Sequence, residues 1–373
     1  MFETGWKSLR FVVIGLLAVL VLTQGAVLIA APGQPAPAPN PAQDGIETQF
    51  NGDVVSAPAV ETVAAGEEYW TAERMANAIP MPMPVLDGPL PVGTVDPSVY
   101  AGAEPHYTLP SGGGLEAAFG GGIEPMFDEW YDYPPPYTSY EEFGKYKKYP
   151  LRTVGKLFFT QYGIDYVCSG AVAWDNVVWT AGHCLHAGDN STSGWSYNVK
   201  FVPAYRNGSD PYGKWKAANL FTTWDWYING NPNGLDQDMG AIAIQQKSGS
   251  DIGDVVGWLG FTVNQGLPRH FTQYGYPAAA PFNGQVLWTV NSSSAGIDTS
   301  PGFSPQPHYT GNNMTGGSSG GPWVILQSKY GGWINGHNDY KYTGAPHAMF
   351  SPYFSDAAWE LFCYATGFEP GGC

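Results

Sequence analysis

The sequence predicts an all-β fold for its C-terminal part, from about Tyr149 onward, on three observations. Short β-branched and aromatic runs recur there: GKLFFTQ, DYVCSGAVAW, NVVWTAG, YNVKFVPAY, MGAIAIQ, VVGWLGFTV, RHFTQYGY, QVLWTVN and GPWVILQ. Gly, Pro, Asn and Asp punctuate these runs at fairly even spacing, the pattern of strands joined by turns. The chain holds 49 Gly and 32 Pro in 373 residues, which favours strands and loops over long helices. Many short strands suggest a closed or sandwiched architecture. Apolar residues at 43% and aromatics at 15% supply a sizeable core.

At the N-terminus, residues 11–31 (FVVIGLLAVLVLTQGAVLIAA) are apolar apart from Thr23, Gln24 and glycines, and Lys7 and Arg10 precede them. At about 1.5 Å per residue, a helix of this length crosses a bilayer core of about 30 Å. Residues 1–31 are therefore read as a membrane anchor or a long signal peptide, although the usual signal core is only about 7–15 residues. A buried core helix is the alternative, which the extreme N-terminal position disfavours. In the anchor and signal readings alike the basic flank stays inside, so the rest of the chain is secreted or displayed at the cell surface.

Residues 32–144 are expected to be a Pro/Gly-rich acidic pro-segment or spacer. APGQPAPAPNPAQ (31–43) reads as an extended linker. Residues 1–144 carry 18 of the 32 acidic residues and only Lys7, Arg10 and Arg74 among the bases. Pro-Met alternation at 80–84 and glycine clusters at 111–114 and 120–122 break any sustained period. Apart from a helix-compatible stretch at 67–79, the segment is expected to be largely disordered. An aromatic, Pro-interrupted bridge (129–150) leads into the domain at 145–373. That domain is nearly neutral and has no basic stripe, which argues against a nucleic-acid partner. Its last element, SDAAWELFCYATGF (355–368), places Ala358, Leu361, Phe362 and Ala365 on one face and predicts a terminal helix ending at Gly367.

Four cysteines allow three pairings. The sequence-local one, Cys168–Cys184 with Cys363–Cys373, is favoured for an exported chain, with free core thiols as the alternative. No CxxC spacing occurs, so neither a metal site nor a cofactor is expected. His183 and His186 could suggest a metal pair, but no third ligand is evident, and His186 is read as a surface residue. Four Asn-x-Ser/Thr sites begin at Asn190, Asn207, Asn291 and Asn313. A glycan on Asn313 would obstruct the site described next, and none is inferred there.

Three stretches could form one site. TAGHC (180–184) sets His183 at a strand end, where a near-neutral imidazole can serve as general base. DQDMGAIAI (236–244) puts Asp238 directly before a buried strand, placed to accept the imidazole N–H; Asp236 is the competitor, more simply a capped or solvated residue. GGSSGGP (316–322) flanks Ser319 with glycines and runs straight into the apolar PWVIL, which a flexible linker would not do. Glycine frees the backbone there, so the N–H groups of Gly317 and Ser319 could hold an oxyanion.

His, Asp and Ser in that order, with these flanks, resemble the chymotrypsin-like serine peptidases over roughly residues 150–373. The resemblance implies two six-stranded antiparallel β-barrels with the site in the cleft between them. It implies His183 as base, Asp238 as orienting carboxylate, Ser319 as nucleophile and Gly317 and Ser319 as oxyanion hole. It also implies Cys168–Cys184 as the disulfide flanking the histidine. Ser318 replaces the aspartate that serves zymogen activation in trypsin-like enzymes, and Asn313 replaces the one that selects basic side chains. His337, with YPLRTVGKLFF and CSGAVAW, is similar to the glutamyl endopeptidase branch, implying an acidic side chain bound near Asn313, Met314 and His337. Met314 and the acidic Asp339 depart from that pattern. The expected function is an exported serine endopeptidase acting on protein or peptide substrates. A catalytically idle surface-binding module and an esterase using the same residues are the alternatives.

Overall fold

The computed structural model describes residues 46–64, 66–91, 93, 104–112 and 134–368. The expected anchor or signal helix lies outside these residues. Among the described residues no helix is long and apolar enough to cross a membrane.

Strands β1 Gln49–Asn51, β2 Val54–Pro58, β3 Ile79–Pro80, β4 Val85–Leu86 and β5 Tyr137–Glu141 precede the body. The first barrel consists of β6 Val154–Gln161, β7 Ile164–Trp174, β8 Val177–Ala181, β9 Tyr197–Pro203, β10 Trp215–Thr223 and β11 Met239–Ile244. They neighbour one another in the order β10-β11-β8-β7-β6-β9, and β9 pairs back onto β10, so the six strands close. Side chains alternate across a strand, and here both faces are buried. Leu157 and Phe159 join one core cluster with Val172, Val178 and Ile242. Phe158 joins another with Ala171, Trp179 and Ala241. Two covered faces explain why these strands read as continuous apolar runs.

The second sheet contains β12 Gly260–Phe261, β13 His270–Gly275, β14 Trp288–Ile297, β15 His308–Gly311, β16 Pro322–Ser328, β17 Gly331–His337 and β19 Ala348–Ser351, while β18 Lys341–Tyr342 pairs elsewhere. Its order is β12-β17-β16-β13-β14-β15-β19, with β5 added on β14. This corrects the expected six-stranded antiparallel barrel: there are eight strands, and β12 runs parallel to β17. The extra strand β5 comes from the aromatic bridge, whose YTSYE alternates between half-buried and exposed positions. Four helices are described: α1 Ala72–Asn77, α2 Trp224–Asn233, α3 Ile252–Val256 and α4 Asp356–Thr366. The terminal helix α4 stops where expected, because Gly367 adopts a left-handed conformation (φ 75°) that glycine tolerates.

The expectation of disorder before residue 144 is also corrected for the described residues. β2 pairs with the barrel strand β10 over Val54–Pro58, and Val54, Val55 and Ala57 are buried. Thr71 caps α1 by accepting the Arg74 N–H, and Trp70 is fully buried, its indole N–H donating to the Asn198 carbonyl. Composition tests whether a segment can bury a core of its own. This one covers a surface the body has already built.

Cys168 and Cys184 form a disulfide that ties β7 to the turn after β8. Cys363 is also disulfide-bonded, while Cys373 lies outside the described residues.

Candidate active site

Strand register brings the first two residues together. Met239 of β11 stands opposite Ala181 of β8, so the residue preceding β11 meets those following β8. His183 sits on the 3₁₀ turn Gly182–Cys184. Its ring Nδ1 lies 2.7 Å from Asp238 Oδ2, and its backbone N–H donates to Asp238 Oδ1 at 2.7 Å. A side chain at Gly182 would come within 2.8 Å of that Asp238 oxygen, so the close approach requires glycine. Burial works to lower the imidazole pKa, but the charge and hydrogen bond of Asp238, joined by those of Asp339, outweigh it and raise the ring to about 10. The competitor Asp236 instead accepts the Ser304 N–H at 2.8 Å. Burial raises its carboxyl to about 6.

Ser319 arrives on the loop between β15 and β16. Ser169 of β7 holds that loop twice, its N–H donating to the Ser319 carbonyl at 2.9 Å and its hydroxyl to the Gly317 carbonyl at 2.9 Å. At Gly320 (φ +77°), a Cβ would meet Thr180 Oγ1 at 2.1 Å and the Ala181 nitrogen at 2.6 Å. The nucleophile candidate's neighbour therefore packs on the strand that ends in His183. Ser319 Oγ and His183 Nε2 are both buried, and among the described residues neither has a hydrogen-bond partner. The histidine–aspartate link is closed and the serine–histidine link is open. Such links often tighten only with substrate in place. Gly317 has φ +90°, and among the described residues neither its N–H nor that of Ser319 has an acceptor.

Asn313 and Met314 line a cavity of about 740 Å³ together with Lys341 and Tyr342. The structure does not bring His337 to this wall. Its ring is fully buried beneath Asp238, with Nδ1 accepting the Trp179 indole N–H at 3.2 Å and Nε2 donating to the Asp238 carbonyl at 3.1 Å. Burial lowers this ring to about 4, so it stays neutral near pH 7. Of two further neighbours of the site, the sequence shows Asp339 only as a departure from the pocket pattern, and Lys341 is missed. Asp339, fully buried, has an oxygen 3.4 Å from His183 Nδ1, and strand alternation from His337 could have put it on the Asp238 side. The Lys341 ammonium donates to the carbonyls of Asn312 (3.0 Å) and Pro346 (2.8 Å).

The chain's own residues 80–83 and Val85 also line the cavity. The Met81 N–H donates to the Val167 carbonyl at 3.0 Å, and β4 pairs parallel with β18. Lys341 and Thr343 donate backbone N–H groups to the carbonyls of Pro84 and Leu86 at 3.0 Å each. Met83 is buried in the same cluster as Met314, and a Cβ on Gly316 would lie 2.9 Å from the Met81 carbonyl. This strand passes over the loop carrying Gly317 and Ser319, whose site is buried: Ser319 is 0% exposed and His183 4%.

His186, expected on the surface, is fully buried against Trp195 and Tyr227. Its ring binds the Ser191 carbonyl and the Gly188 N–H, which fixes it structurally. The donor sets near the site do not suit a metal ion. Cys168, His183 and Cys184 cluster, but both sulfurs are spent in the disulfide. In the cluster of His183, Asp238 and Asp339 the facing ring nitrogen is committed to Asp238.

No protein-family model matches the chain. The crystal structure of protease Anisep from Arthrobacter nicotinovorans matches with a TM-score of 0.55 at 35% identity, covering 62% of this chain and 100% of that one. That of the thermostable serine protease AL20 from an extremophilic microorganism gives 0.53 at 35% identity, covering 58% and 98%. The extracellular metalloprotease of Bacillus subtilis (strain 168) is 29% identical over 127 residues, 33% of this chain and 37% of that protein. The chain thus spans little more than a third of that curated relative's length.

Proposed function

The chain belongs to the chymotrypsin-fold serine proteases, and from that premise we propose that it is an exported serine endopeptidase kept latent by its own N-terminal segment. The observation that carries the reading is the buried His183–Asp238 pair at 2.7 Å, beside a glycine-flanked serine loop pinned to the same barrel. Ser319 Oγ attacks the substrate carbonyl while His183 Nε2 takes its proton, and Asp238 holds the ring and stabilises the imidazolium. The N–H groups of Gly317 and Ser319 receive the oxyanion. The histidine's proton then passes to the leaving amine, and water hydrolyses the acyl-enzyme by the same path.

Export is supported by the Cys168–Cys184 disulfide, since such bonds persist in oxidising compartments. Latency is supported by the strand over the cleft. Its prolines at 80, 82 and 84 keep it extended and remove every second N–H, so on the edge that bears them it can only accept hydrogen bonds, as the Pro84 and Leu86 carbonyls do. A preference for an acidic side chain on the acyl side rests on Lys341 rather than His337. Its ammonium lies at the cavity wall with two carbonyl partners and, among the described residues, no carboxylate. A buried cation without an anion is costly, and a substrate carboxylate would supply one.

A fluorophosphonate probe tests the reading. After limited proteolysis has removed the covering segment, peptide mapping should find the adduct on Ser319. An opened, folded protein that takes no adduct overturns it. With a peptide library, Lys341→Met should lose the acidic preference and keep turnover; an unchanged preference removes Lys341 from the role.

A further inference from the structure

Asp339 is the one buried carboxylate beside the candidate triad to which the mechanism above gives no work. Its side chain is fully buried, and one of its oxygens lies 3.4 Å from His183 Nδ1. That nitrogen has a single hydrogen, committed to Asp238 at 2.7 Å, and the His183 backbone N–H goes to Asp238 as well. Among the described residues no donor reaches either Asp339 oxygen. The facing oxygens of Asp339 and Asp238 and the His183 nitrogen all lie within 4.8 Å of one another. The other titratable groups packed here give no help to an anion. His337 spends its Nε2–H on the Asp238 carbonyl, and the Tyr340 hydroxyl donates to Asp298. Among the described residues no lysine or arginine pairs with Asp339.

We propose that Asp339 is a positioning residue that stands as a neutral carboxylic acid and donates its proton to Asp238, so that the triad carries one negative charge rather than two. As an anion it would be buried, donorless and next to a like charge, the arrangement that forces one of two carboxyls to keep its proton. As an acid it has one O–H, and the Asp238 carboxylate is the acceptor within reach. Burial, followed by the charge of Asp238, pushes the Asp339 carboxyl well above the usual carboxylate range. The consequence falls on His183. A second anion beside Nδ1 would hold the ring as imidazolium, unable to take a proton from Ser319; a neutral Asp339 leaves it free to act as base.

The proposal rests on reading His183 and Asp238 as the catalytic pair, so its first test needs no turnover. In the full chain, carboxyl ¹³C resonances of labelled aspartates are followed through a pH titration in wild-type and Asp339→Asn protein. One carboxyl should remain protonated at pH 8, and Asp339→Asn should remove that signal. An Asp339 signal at the carboxylate position at pH 8 overturns the proposal, as does a protonated signal that survives the substitution. The second test uses probe reactivity after opening of the cleft. Asp339→Asn keeps a neutral donor and should stay within about threefold of wild type near neutrality, while losing the alkaline step in the pH profile. Asp339→Leu, with no donor for Asp238, should lose about tenfold or more. A hundredfold loss in Asp339→Asn, with its melting temperature unchanged, would mean that Asp339 works as an anion. If every variant and the wild type were inert to the probe while the resonances behaved as expected, the peptidase reading would fall and the protonation of Asp339 would stand.

Discussion

The candidate catalytic corner and the strand packed against its serine loop are held by different forces. At the corner, named side chains do the holding: the His183 ring on Asp238, the Ser169 hydroxyl on the Gly317 carbonyl, and the Trp179 indole on His337. Residues 79–86 attach through backbone pairing, with β3 on β7 and β4 on β18, with Met83 buried and Met81 and Leu86 partly buried against the body. The corner therefore tolerates almost no change of residue type. The cover tolerates most changes that preserve an extended backbone.

The sharpest break of that contrast is Ser319→Ala. Turnover of an opened enzyme should drop by about 10⁴–10⁶, because losing the nucleophile removes the whole acyl-enzyme route. The melting temperature should hold, since among the described residues Ser319 Oγ makes no hydrogen bond. A variant that keeps more than about a hundredth of the turnover would break the assignment.

The same contrast explains what could be read from the sequence. The strands of the first barrel were legible because apolar runs and turn residues encode them directly, and the end of α4 because Gly367 is the residue its left-handed cap favours. The three candidate motifs stood out because each couples a reactive side chain to glycines or to an apolar strand. Hidden from the sequence was everything that depends on backbone pairing or on which way a strand faces. The parallel β12–β17 contact involves two residues on each strand, too short for a pattern. β4 has no sequence signature because its partner binds its carbonyls rather than its side chains. His337 was read as facing the cavity, and its ring lies on the other side of the strand, under Asp238. Asp339 lies with it on the Asp238 side while Lys341 lines the cavity, so no single alternation from His337 assigns both.

A moderate effect should come from the cover's most buried side chain. Met83 is 8% exposed and packs in the cluster that holds Met314. Truncating a buried methionine to alanine costs about 2 kcal/mol at the low end, or about thirtyfold in the balance between covered and open cleft. Met83→Ala should therefore raise the rate at which the uncut full chain takes up the fluorophosphonate by about that factor. A rate unchanged within twofold would mean that the cover is held without this side chain.

The smallest effect should come from Val85, and it is the more informative of the two about how the cover binds. Its side chain is 50% exposed, while the strand on either side of it is fixed by the carbonyls of Pro84 and Leu86 accepting N–H groups from Lys341 and Thr343. Val85→Thr keeps a β-branched residue, so the extended backbone is preserved. A substitution at so exposed a position, away from special features, changes stability by about 0.5 kcal/mol or less. Probe uptake by the full chain should then stay within about threefold of wild type. A tenfold rise would place binding energy in the Val85 side chain, and the cover would be a sequence-read inhibitor rather than a backbone-paired strand. A result within threefold, beside a thirtyfold response at Met83, would leave one methionine and a row of carbonyls as what keeps the cleft covered.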